Sequence, residues 1–318
     1  MRAAAAGLKM SVTLPENRSL AERWRRFWFR ERPLLDLAIA RMLVAAFLLY
    51  LNAGGRFLRV AMVAPEHWAP LPLLELLGIE QPGSSQLAWL DVATRTALVT
   101  ACFGLLTNVS LFVVFVLQLL QEAYLNSLGK VTHATLPILY ALLFLACSPC
   151  GRVLSIDAVV RRWNARRRGA AGPPNHGVSL HAGWPFDLLF IEMAAFYFQA
   201  GFAKMHASGL QWADGYSLQF YLLHKGEPAG MWLAGHLWLC SALSAAVLAL
   251  ELGFPLAIFL RRLRPVFLIG GFAFHVGTSV FMGITFWPVW ALYLLFVPWS
   301  SLLDRFPGRR ADSVNATS

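Results

Sequence analysis

Apolar residues gather along this chain in eight stretches, each near the length needed to cross a bilayer. They are Leu34–Ala53, Gln86–Leu106, Val109–Leu125, Val131–Ser148, Trp184–Lys204, Gly235–Leu260, Pro265–Ile284 and Phe286–Ser300. The pattern predicts an all-α polytopic membrane bundle of about eight transmembrane helices, with every backbone polar group satisfied inside its own helix. Just before the first stretch, "RSLAERWRRFWFRERP" (Arg18–Pro33) interleaves arginines with Trp24, Phe27, Trp28 and Phe29. That composition suits an amphipathic helix lying in the interface, rings buried and guanidiniums among headgroups. The first stretch lies too far along, and too closely behind arginines and Pro33, to be a cleaved signal peptide. No internal repeat is visible. The expected organisation is a tail over 1–17, one transmembrane domain over 18–303 containing a basic loop at 151–183, and a disordered tail over 304–318.

Composition supports the class. Hydrophobic residues make up 58% of the chain and charged ones 14%, against about 25% charged in soluble domains. The net charge of +10 raises the question of nucleic acid, and its distribution answers it. Most of the basic residues precede the first stretch, lie in the loop after the fourth (Arg152 to Arg168), follow the sixth (Arg261, Arg262, Arg264), or follow the eighth. Those four segments fall on one side of an eight-span chain. The positive-inside rule then puts both termini in the cytoplasm of a multi-pass protein of the inner, cytoplasmic membrane. The expected partners are membrane lipids, whose anionic headgroups the arginines attract, and no nucleic acid. Cys102 and Cys240 read as buried small apolar residues. "CSPC" (Cys147–Cys150) reads as a helix end stopped by Pro149 rather than a redox pair.

Polar residues inside apolar stretches carry the candidate chemistry. The segment "YFQAGFAKMHASGLQWADGYS" (Tyr197–Ser217) ends an apolar run in Lys204. His133 opens the fourth stretch, and His275 lies eleven residues into the seventh. The alternating topology gives all three a depth in the outer half of the bundle, so they are expected to line one cavity. Lys204 has two readings, an anchor that snorkels to headgroups or a working base. The histidines likewise read as helix–helix hydrogen-bonding residues or as catalysts. Asp91 and Arg95 read as a self-paired i, i+4 couple. Arg41 is expected to reach headgroups or to pair with Glu192, both in architectural roles. No metal-ligand spacing appears, so no metal is expected.

Taken in order, these segments resemble the HTTM (horizontally transferred transmembrane) domain, the membrane part of the vitamin K-dependent gamma-carboxylase family. "AIAR", ending at Arg41, resembles its arginine-bearing first helix. "GKVTHATLPILYALLFL" resembles the segment in which a histidine, here His133, opens a helix. "SPCGRVLSIDA" resembles the short turn ending in an aspartate, here Asp157. The Lys204 segment and "FAFHVGTSVFMGI", with His275, resemble two further family helices.

The resemblance implies a chemistry. A lysine, here Lys204, removes a proton from a reduced vitamin K-type quinone (menaquinol-like). Reaction with oxygen yields a strong base, which takes a proton from the γ-carbon of a peptidyl glutamate, and carbon dioxide adds. To accept a proton the lysine must be neutral, a state that apolar surroundings favour. Lys204, His133 and His275 are the expected catalytic residues, with Tyr197, Phe202, Trp212 and Tyr216 binding the quinone. The carboxylases carry a large β-rich extramembrane region after the bundle, and this sequence has none. The expectation is therefore a short form acting on an unknown peptide or small-molecule acceptor. The alternative is a non-catalytic membrane protein that binds a partner or a small molecule.

Overall fold

The computed structural model describes residues 19–129, 134–170 and 177–305. In chain order the helices are α1 (Leu20–Trp28), α2 (Leu34–Ala53), α3 (Pro72–Leu76), α4 (Ser84–Phe103), α5 (Thr107–Asn126), α6 (Leu136–Ala146), α7 (Ile156–Arg167), α8 (Trp184–Ser208), α9 (Tyr216–Lys225), α10 (Pro228–Ala234), α11 (Leu237–Gly253), α12 (Leu256–Phe259), α13 (Arg264–Met282), α14 (Trp287–Leu295) and α15 (Trp299–Leu303). Among the described residues, strand is limited to β1 (Arg32–Pro33) and β2 (Val178–Ser179), paired antiparallel with Arg32 opposite Ser179. The expected tail after Phe306 lies outside the described residues.

The all-α membrane class holds. Four helical segments are long and apolar enough to cross a bilayer: Leu34–Met62, Thr107–Asn126, Leu180–Asp214 and Arg261–Met282. A fifth arises only if the pair α10–α11, bent by 102°, is counted as one span. Eight full-length spans were expected, and a helix does lie at each expected place. The difference lies in length for α6, α11 and α14, and in polarity for α4, which has 20 residues but carries Asp91 and Arg95. With 11 residues, α6 covers about 17 Å, well short of the ~30 Å hydrocarbon core. Prolines in the first turns of α6 and α14 set late starts, and Pro255 separates α11 from α12. The outward faces of α4 and α5 present Trp89, Val92, Phe103, Phe112 and Val116, a surface suited to lipid.

One core joins α2, α4, α5, α6, the start of α8 and α14, with Leu37, Leu98, Leu111, Leu142 and Leu189 at its centre. A second, aromatic core joins α8, α12, α13 and α14 through Phe190, Tyr197, Phe254 and Tyr293. On α1 no residue is buried and Trp24 is exposed, as an interfacial helix requires.

Arg41 is fully buried, and it neither reaches headgroups nor pairs with Glu192, the two alternatives expected for it. Its guanidinium donates to the carbonyls of Cys150 (3.1 Å) and Leu154 (2.5 Å), closing the turn after α6. Gly104, at φ +68°, passes directly beneath that guanidinium, where a Cβ would collide with it. Asp157 completes the knot by capping α5: its carboxylate accepts from Leu106 N–H (2.9 Å), Thr107 N–H (2.8 Å) and the Thr107 hydroxyl (2.7 Å). Burial pushes the Asp157 carboxyl up, but these three donors, with Arg161, outweigh it and hold it below its ordinary value. The "SPCGRVLSIDA" segment is therefore architecture. The four cysteines are free: Cys147 is exposed, Cys150 and Cys240 are buried, and Cys102 is half-buried rather than buried as expected. Asp91 and Arg95 pair at 2.7 Å, as the sequence indicates.

Candidate functional site

Helical periodicity places Tyr197, Ala200, Gly201 and Lys204 on one face of α8. Gly201 allows α11 to come close, since a Cβ there would stand 2.8 Å from that of Glu251. The close approach brings the Glu251 carboxylate to the lysine. Lys204 Nζ donates to Oε1 at 2.5 Å and Oε2 at 2.7 Å. The glutamate side chain is 2% exposed and the lysine 21%. The Trp212 ring lies 5.6 Å from the ammonium, within cation–π range. The expectation that the helix ends at Lys204 needs correction. It continues to Ser208, which draws the ammonium away from the helix end and into reach of α11.

A cavity of about 280 Å³ opens beside this pair. Its wall includes Ala134, Met193, Tyr197, Lys204, Glu251 and His275, with Phe274 and Phe286 adding aromatic surface. His275 is buried, 5.3 Å from the Phe286 ring centre and 6.0 Å from that of Tyr197, and its Nδ1 has no hydrogen-bonding partner among the described residues. Tyr197 and Tyr293 join hydroxyls at 2.5 Å, and Tyr197 stacks on Phe254 at 4.4 Å. Gly271 lies against both hydroxyls, leaving no room for a larger residue. A second cavity, about 420 Å³ and almost wholly apolar, shares Phe274 as a wall and lies between α9, α10, α11 and α13.

Lys204, His275 and Tyr197 thus share one cavity, as matched depth suggests. His133 lies outside the described residues, although its neighbour Ala134 reaches the cavity wall. Three expected quinone-binding residues do not line it: Trp212, which meets the Lys204 ammonium, Phe202 and Tyr216. Phe202 is exposed and stacks on Phe198, because two residues along a helix turn a side chain by about 200°, away from Lys204. Tyr216 opens α9 and is exposed as well. Arg41 and Asp157 lie at the far end of α6. Glu192 sits twelve residues before Lys204 on α8, about 18 Å along the axis, and neither of its carboxylate oxygens has a hydrogen-bonding partner among the described residues. Sequence reasoning missed Glu251 and Tyr293. Glu251 had left a signal as an acid inside an otherwise apolar run; Tyr293 left none. Among the described residues no cluster of His, Cys, Asp and Glu could hold a metal ion.

A helical bundle whose apolar interior holds an ion pair, a histidine and two joined tyrosines around a cavity defines a class: a membrane protein with an intramembrane polar site. The chain belongs to the HTTM domain family, whose model matches residues 29–300. No curated protein and no solved structure matches it.

Proposed function

We propose that this protein is a membrane enzyme with carboxylase-like chemistry, in which Lys204 takes a proton from a lipid-soluble reduced quinone to drive modification of an acceptor. One observation carries the reading: in an otherwise apolar cavity, a lysine–glutamate pair and a buried histidine line the same space. At about 280 Å³ the cavity is at the lower edge of small-molecule sites (about 300–1,000 Å³), a fit for an aromatic head group. The neighbouring apolar cavity across Phe274 suits an isoprenoid tail. When bound, a menaquinol-like molecule supplies a hydroxyl proton and two electrons for reaction with oxygen.

The chain's own residues then have defined tasks. Glu251, 2.5 Å away, takes the lysine's proton and leaves Nζ as a neutral amine with a free lone pair. The amine accepts the hydroxyl proton, and the ammonium that results is balanced by the quinol oxyanion beside it, Glu251 remaining a neutral carboxylic acid. His275 adds a polar ring to the same cavity wall, beside the space for the ligand's second oxygen. Tyr197, fixed by Tyr293 and Phe254, holds one wall rigid, and Phe274 and Phe286 keep water from the reacting groups. The acceptor is a peptide or a small molecule.

A binding-only role has its own support, because Glu251 already satisfies the ammonium; the arginine substitution argued in the Discussion separates the two. Ligand fit is tested by melting. Reduced naphthoquinone at 100 times its Kd stabilises a one-site protein by about 2.7 kcal/mol. It should raise the melting temperature of wild type and leave Ala200→Phe, which fills the cavity, unmoved. Equal shifts in both would place the ligand elsewhere.

For orientation, we infer that the arginine-rich end and both termini face the cytoplasm across the inner membrane, with Lys204 nearer the opposite face. Single cysteines at Ala170 and Ser208, in a cysteine-free background, should react with an impermeant reagent from opposite sides. Reaction of both from one side would refute this orientation.

A further inference from the structure

At the end of the molecule away from Lys204, one buried carboxylate gathers several arginines. Asp187, in the first turn of α8, is fully buried. It accepts from Arg30 Nη2 at 2.8 and 2.6 Å, from Arg264 Nη1 at 2.5 Å and from Arg261 Nη2 at 3.4 Å. Arg32 joins from β1, 5.1 Å above the Phe186 ring and within Coulombic reach of Asp187, Asp36, Arg30 and Arg264. Four guanidiniums therefore meet two carboxylates. One of those, Asp36, is already engaged by the Ser300 N–H at 2.8 Å.

The node is short of acceptors as well as of negative charge. Arg30 Nε and Arg264 Nη2 are buried without a partner among the described residues. Clustered like charges at a partly desolvated site are costly unless an anion joins them. Arg30 and Arg261 remain 32% and 26% exposed, so they present this excess charge outward.

We propose that Arg30, Arg32, Arg261 and Arg264 form a binding site for the phosphate of an anionic phospholipid, which fastens α1 to the bundle. Guanidiniums match phosphate oxygens in a bidentate fork, which a lysine cluster does not do. Position selects the lipid over a soluble phosphate. Arg264 opens α13 and Arg261 lies in the turn just before it, at the start of an apolar segment whose surface is largely exposed, and so at headgroup level. Arg30 follows directly on α1, where Leu20 and Trp24 are exposed to enter the acyl region. Arg261 also donates to the Phe27 carbonyl at 2.8 Å, so a phosphate on this node and the docking of α1 share a residue. The site is independent of the Lys204 cavity.

The test uses full-length protein in zwitterionic detergent and native mass spectrometry, titrating phosphatidylglycerol, phosphatidylcholine and inorganic phosphate. Wild type should retain one phosphatidylglycerol with clear preference over phosphatidylcholine. The double variant Arg32→Gln/Arg261→Gln leaves the Arg30–Asp187–Arg264 bonds in place and should bind it about tenfold or more weakly, as loss of two headgroup contacts implies. Arg32→Lys/Arg261→Lys should recover only part of that loss, because an ammonium restores the charge but not the bidentate fork. Melting without added lipid checks that all three proteins are folded. Unchanged phosphatidylglycerol binding in the folded glutamine variant would overturn the site. Saturation by inorganic phosphate with no phosphatidylglycerol preference would overturn the lipid assignment.

Discussion

Lys204→Arg should leave the protein folded and at normal abundance while removing its activity. Arginine keeps the positive charge, and its planar fork can pair with Glu251 in place of the 2.5 Å lysine contact. It also retains a cation near Trp212 and snorkels at least as well as lysine. What it cannot do is release a proton at working pH. If Lys204 is the base, turnover should fall by about 10²–10⁴-fold, the range that positioned proton transfer contributes. If the lysine only anchors the helix or binds a ligand by charge, arginine should preserve function. Lys204→Ala is less informative, because it also strands the Glu251 carboxylate, 2% exposed, without its partner.

The largest expected effect on stability is at Arg41. Replacement by lysine keeps the charge, but one ammonium on a flexible stem cannot serve two carbonyls from the fixed geometry of the guanidinium. At least one of the Cys150 and Leu154 carbonyls then loses its buried donor. Leu154 depends on it most, since it is held at φ +45° without being glycine. Leaving a buried acceptor unpaired while losing a charged hydrogen bond costs about 3 kcal/mol. The melting temperature of Arg41→Lys in detergent should drop by several degrees; an unchanged value would show that the turn holds itself. The same knot carries a pH signature. Because the Asp157 carboxyl is held below its ordinary value when folded, its contribution is fully present above about pH 4 and is lost as pH falls through the lower, folded value. That acid-side loss should be absent in Asp157→Asn.

Much of this architecture is legible in the sequence. The first apolar stretch is a helix with the expected ends, Leu34 and Ala53, because Pro33 fixes its start and Gly54 follows its end. Depth along the helices brings Lys204 and His275 to one cavity without any knowledge of the family. Depth alone, however, does not say which way a side chain points. Phe202 and Lys204 are close in sequence and face opposite ways. Glu251 escaped notice because its partner lies on another helix, and the contact depends on the close approach of α11 at Gly201, which no spacing within the sixth stretch encodes. The sequence suggests headgroups or the Glu192 carboxylate as partners of Arg41, because charge points to charge, whereas its partners are carbonyls, which every residue carries.

The central proposal is that Lys204 acts as a base on a quinol held beside Glu251. The most direct measurement is oxygen uptake driven by reduced naphthoquinone, using purified protein in liposomes and protein-free liposomes as the baseline for spontaneous oxidation. Wild type should consume oxygen well above that baseline, and Lys204→Arg, reconstituted to the same level, should not. Wild type at the baseline, or Lys204→Arg as active as wild type, would contradict it.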